Sequence, residues 1–91
     1  MEEKEVLYTA KKLQVGKIYQ SIKSGSCEFL FEEKNLFTVG NKAVMFDTNQ
    51  NHFLILEKEN NLFKIITPKG KIGWMELSSS RKIYRLVAAN E

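Results

Sequence analysis

The chain has 91 residues, 43% of them hydrophobic and 27% charged, with a formal net charge of +3. That length suits one domain over residues 1–91, whose core hides about 60–65% of the surface the unfolded chain exposes. One cysteine, Cys27, excludes an internal disulfide, and apolar runs such as Phe53 to Leu56 fall far short of the roughly 20 residues a membrane-spanning helix needs.

Taken in chain order, the N-terminal MEEKE is acidic and lacks the basic-then-apolar order of a secretion signal. With the unpaired Cys27 this points to a cytoplasmic protein, and residues 1–4 and 88–91 are expected to fray. Short runs of β-branched and aromatic residues with period-two alternation predict strands at about 5–9, 15–22, 28–31, 42–47, 52–57, 62–67, 71–75 and 82–87. Turn-forming clusters (KSGS, EEKN, VGN, DTNQN, KENN, PKG, SSS) separate them. Only the opening EEKEVLYTAKKL lets a helical turn compete, and residues 21–37 read as an extended loop holding a short hairpin. In the fourth run Val44 and Phe46 share a face with Lys42, which predicts a half-buried surface. Most of the six phenylalanines should be core, with one or two left exposed.

The stretch FKIITPKGKIGWMEL, from Phe63 to Leu77, carries the clearest local signal. Thr67, Pro68 and Gly70 have the chemistry of a type I turn closed by a left-handed glycine, so 62–67 and 71–75 should pair antiparallel. Phe63 and Ile65 then share one face, and Leu62, Lys64 and Ile66 the other. Gly73 should mark a place where a ring or a neighbouring strand comes close.

Catalytic chemistry has few parts to draw on. His52, Cys27 and Asp47 are each the only residue of their type. Asp47 lies in the loop beside His52, yet no serine or cysteine is placed to complete a nucleophilic arrangement, and His52 reads as a half-exposed hairpin residue. Structural zinc wants four Cys or His ligands where two exist, and neither phosphate-binding glycine motif is present. No cofactor and no metal are expected. Cys27 lies near Lys23 but reads as a small packing residue.

The residues LILEKENNLFKIITPKGKIGWMEL, from Leu54 to Leu77, resemble the second half of bacterial SH3-like domains. These run as a strand, a polar loop, an aromatic-rich strand, a tight turn, then Gly-Trp and an aliphatic residue. LFTVGNKAVMF resembles, more loosely, the stretch introducing such a strand, and GKIGWM is similar to small barrels of tailed-phage accessory proteins. The resemblance implies an all-β, SH3-like, partly open barrel of five to six antiparallel strands with an additional N-terminal strand or hairpin. It also implies a non-enzymatic protein-binding module, such as a small phage-type accessory protein that engages a host or virion protein. The surface it favours is Leu62, Lys64, Ile66, Trp74 and Tyr84. Leu62 and Phe63 stand where proline-binding members carry paired aromatics, and no proline follows Trp74, which argues against proline-rich ligands.

An uneven charge distribution supplies the alternative. Between Lys64 and Arg85 lie Lys64, Lys69, Lys71, Arg81, Lys82 and Arg85 against the single acid Glu76. Gathered beside aromatic rings, these cations would suit a small basic β-barrel that binds nucleic acid. Edge strands are also commonly guarded by lysine, so a solvated surface accounts for the same residues. The expected partner is a protein, with nucleic acid as the alternative and no membrane; edge pairing leaves a homodimer open.

Overall fold

The computed structural model describes residues 6–78 and 82–87. The ends expected to fray, 1–4 and 88–91, and Arg81 of the basic cluster lie outside the described residues. All eight predicted strands form: β1 Leu7–Thr9, β2 Ile18–Ser21, β3 Cys27–Phe31, β4 Ala43–Asp47, β5 Phe53–Glu59, β6 Leu62–Ile66, β7 Ile72–Glu76 and β8 Ile83–Leu86. One 3₁₀ turn, Ala10–Lys12, follows β1 where the sequence allowed helical competition.

The strands join one antiparallel sheet in the order β1-β8-β2-β5-β6-β7-β3-β4, curled into a half-barrel. This corrects the expectation of five to six strands with a separate N-terminal piece. β8 inserts between β1 and β2, with Tyr8 opposite Tyr84 and Tyr84 opposite Ser21, so the N-terminal strand is a direct extension of the sheet. The 21–37 segment also contributes a full member, since β3 pairs with both β4 and β7. Past the end of β4 the curl turns back on itself. Ser21 donates its N–H to the Thr48 carbonyl at 2.7 Å, and the Asn49 side-chain amide donates to the Ser21 carbonyl at 2.9 Å.

Alternation decides which side chains enter the hollow. Tyr19, Phe53, Ile55, Phe63, Ile65, Met75, Leu30 and Tyr84 are buried there. Edge-to-face rings cross it: Tyr84 meets Phe53 at 5.9 Å, and Phe53 meets Phe46 at 6.3 Å, tying β8 to β5 and β4. The turn after β6 forms as its residues require. Gly70 has φ of +89° and donates to the Thr67 carbonyl at 2.9 Å, while the Lys71 N–H donates to Thr67 Oγ1 at 3.1 Å.

β5 carries a bulge between Ile55 and Glu57, where the register against β6 shifts by one residue. Before it Ile55 opposes Ile65 and points inward; after it Lys58 opposes Phe63 and takes the inward side. The Lys58 ammonium lies 5.6 Å from the Phe63 ring centre and donates to the carbonyls of Lys11 and Leu13 at 2.8 and 3.0 Å. That link closes the end of the 3₁₀ turn against the sheet. The same bulge swings Glu57 and Glu59 to the outer face.

Candidate functional site

The Gly-Trp pair performs two tasks on opposite sides of β7. Gly73 faces inward, and a Cβ built there would lie 2.6 Å from Leu30 Cγ and 2.9 Å from the Phe31 carbonyl oxygen. The missing side chain therefore lets β3 lie against β7, with Phe31 directly opposite Trp74. Trp74 points outward, yet only 8% of it is exposed. Two ammonium groups cover the indole, Lys34 at 5.6 Å and Lys64 at 6.0 Å from the ring centre.

Each of these cations is held by a glutamate that the β5 bulge has turned outward. Lys64 pairs with Glu57 at 3.2 Å, and Lys34 pairs with Glu59. Such exposed pairs contribute about 0–1 kcal/mol each, so they orient the lysine stems over the ring more than they stabilise the fold. Beside the covered tryptophan the outer face is open and apolar. Phe29 (56% exposed) and Met45 (59%) oppose each other across β3 and β4, and Ile72 (50%) lies next to Ile66 across β7 and β6.

Of the residues favoured for protein binding, Leu62, Lys64, Ile66 and Trp74 share this outer face. Tyr84 does not join them, because it is fully buried on the other side of the sheet. Its hydroxyl has no hydrogen-bond partner among the described residues, and burial pushes its pKa from the ordinary 10.0 to about 12. A buried unpaired hydroxyl costs about 1–3 kcal/mol, so Tyr84→Phe is expected to raise the unfolding free energy by about 1 kcal/mol at neutral pH. The pH dependence has a definite sign. Below pH 10 both states keep the phenolic proton; above it the unfolded chain releases the proton first. Stability is thus lost as pH climbs from about 10 towards 12, by up to about 2 kcal/mol, and Tyr84→Phe should lack that component. Chemical denaturation of both proteins between pH 8 and 11.5 checks it, and parallel pH profiles would count against it.

The basic cluster is spread over several elements. Lys64 sits over Trp74, and Lys69 and Lys71 flank the β6–β7 turn. Lys82 is ion-paired with Glu28, and an Arg85 guanidinium nitrogen donates to Gln20 Oε1 at 3.1 Å. Asp47 Oδ1 accepts from the N–H groups of Asn49 and Gln50 at 2.8 and 2.9 Å, so its carboxylate shapes the turn ahead of His52. Cys27 is a free, half-buried thiol. Among the described residues no group of three or more His, Cys, Asp or Glu could hold a metal, and no helix is long and apolar enough to cross a membrane.

Comparisons with protein families, curated proteins and solved structures returned no match. The outer face accordingly rests on its own geometry. Four of its members, Lys34, Phe29, Met45 and Ile72, were not singled out from the sequence. Lys34 lies in a loop with no motif, and alternation alone does not distinguish an outward Phe29 from an inward one.

Proposed function

We propose that the protein is a non-enzymatic module that binds another protein through the outer face around Trp74. The observation carrying this reading is a tryptophan roofed by two lysines, with the exposed pair Phe29 and Met45 to one side of it and exposed Ile72 to the other. Aromatic residues and methionine are enriched at protein interfaces, and contiguous exposed apolar surface on a small domain marks contact sites. The resemblance of Leu54–Leu77 to SH3-like barrels supports the same class, an accessory factor engaging a host or virion protein. The free thiol of Cys27 supports a reducing, cytoplasmic setting.

Capture from a native lysate, with and without nuclease, tests the reading. A protein partner should survive nuclease, and Phe29→Asp should weaken its capture about tenfold or more, since charge on an exposed strand position spoils apolar contact with little effect on folding. Capture that vanishes with nuclease, or a loss of nucleic-acid affinity steep in salt, would favour the nucleic-acid alternative instead.

A further inference from the structure

We infer that the free edge of β4 accepts an extended, acidic-apolar peptide from the partner as an added strand. This rests on the protein-binding reading and specifies the kind of partner. β4 ends the sheet, so among the described residues one of its two sides has no neighbouring strand. Two hydrogen bonds settle which residues face that side. The Glu32 N–H donates to the Lys42 carbonyl at 3.0 Å, and the Thr48 N–H donates to the Ser26 carbonyl at 2.9 Å. The Lys42 carbonyl and the Thr48 N–H therefore point to the β3 side. Because an antiparallel ladder alternates every second residue, Ala43 and Met45 direct their N–H and C=O groups to the open edge.

The middle of the edge lacks the usual guards. Between Lys42 and Asp47, which mark its two ends, the run AVMF has no charge, proline or bulge, and Ala43, Val44 and Met45 are exposed. β1, at the other end of the sheet, has only three residues. Beside the β4 edge a groove of about 470 Å³ opens between β4 and the β6–β7 turn, with Leu30, Val44 and Phe46 on its apolar wall. Pro68, Lys69 and Lys71 form the opposite rim. A strand added to β4 would send alternate side chains over this groove and the others beside Met45 and Phe29.

Charge selects the occupant. Lys69 and Lys71 make no ion pair with a described residue, and Lys42 begins the same edge. The one carboxylate at the groove, Asp47, is engaged by backbone N–H groups. Acidic side chains on the incoming strand would complement this rim. A second copy of β4 would instead bring two sets of Lys69 and Lys71 together about one axis, which like charges oppose.

The test uses amide signals of the ¹⁵N-labelled full chain and three synthetic decapeptides. One alternates valine with glutamate, the second alternates valine with lysine, and the third is the acidic peptide with four consecutive central amides N-methylated. The acidic peptide should shift the amides of Ala43 and Met45 and slow their exchange. The lysine and N-methylated peptides should bind at least tenfold more weakly. Met45→Pro should abolish binding with the fold intact, because that N–H makes no bond to β3. Independently, Lys69→Glu with Lys71→Glu should reverse the charge preference on an exposed turn. Equal binding of the N-methylated peptide would reduce the effect to charge attraction and overturn the inference, as would the absence of shifts at β4. A concentration-dependent dimer dissociated by Met45→Pro would overturn it in favour of a second copy. Should Phe29→Asp abolish partner capture while no peptide reaches β4, the protein-binding reading stands and the edge does not; loss of both removes both.

Discussion

Gly73→Ala is expected to lower the unfolding free energy by about 3 kcal/mol, at the upper end for overpacking a core. The added methyl would meet Leu30 Cγ at 2.6 Å, Leu30 Cδ1 at 2.8 Å and the Phe31 carbonyl oxygen at 2.9 Å. Leucine can rotate away from such an approach; a backbone carbonyl cannot, so β3 itself must retreat from β7. For a domain of this size the melting temperature should fall by roughly 15 °C. Because Phe31 faces Trp74 across that pair of strands, the retreat also separates Phe29 and Phe31 from the tryptophan, and partner capture should fall with stability. Leu30→Ala in the same chain removes two of the three close contacts. The two losses should then couple by about 1 kcal/mol or more, measured by denaturant unfolding of the double-variant cycle. Strictly additive losses, or a Gly73→Ala protein as stable as the parent, would refute the close approach.

Phe53→Ala should be costlier still, about 4 kcal/mol. Phe53 is fully buried and stands between Phe46 and Tyr84, the two rings that join it across the hollow. Truncation leaves a void with β4 on one side and β8 on the other, and neither can close it without breaking its own ladder. Set against a total stability of about 5–15 kcal/mol, that loss brings the native state near the threshold of folding. Phe53→Leu, which keeps much of the volume but loses both edge-to-face contacts, should lie between the two. Equilibrium unfolding in urea reads the series, and a Phe53→Ala loss below about 1 kcal/mol would show that these rings do not carry the core.

Much of this architecture was legible from residue order. Alternation located all eight strands to within a few residues, and TPKG announced its own turn, because period and turn chemistry are local properties. Gly73 was readable as a close approach for the same reason. Topology was not local. KIYRL carries apolar residues on both parities, so nothing in it says that Tyr84 is the buried one; the answer comes from β8 lying between β1 and β2. The β5 bulge was equally hidden. FLILEKE opens with four apolar residues in a row, so its faces cannot be read until its partner β6 imposes a shift of one, and that shift is what delivers Glu57 and Glu59 to the lysines over Trp74. Lys34, far along the chain from the indole of Trp74, could only be found in three dimensions.

The placement of β8 has a consequence for biosynthesis. As the chain leaves the ribosome, β5, β6 and β7 can zip together from neighbours already at hand, whereas β1 has no described strand to pair with until Ile83–Leu86 appear. The first strand made is thus among the last to dock, and closing so long a loop makes it a slow step of folding. A nascent chain stalled ahead of Ile83 would expose Tyr8, Tyr19 and Phe53, a sticky surface that chaperones recognise.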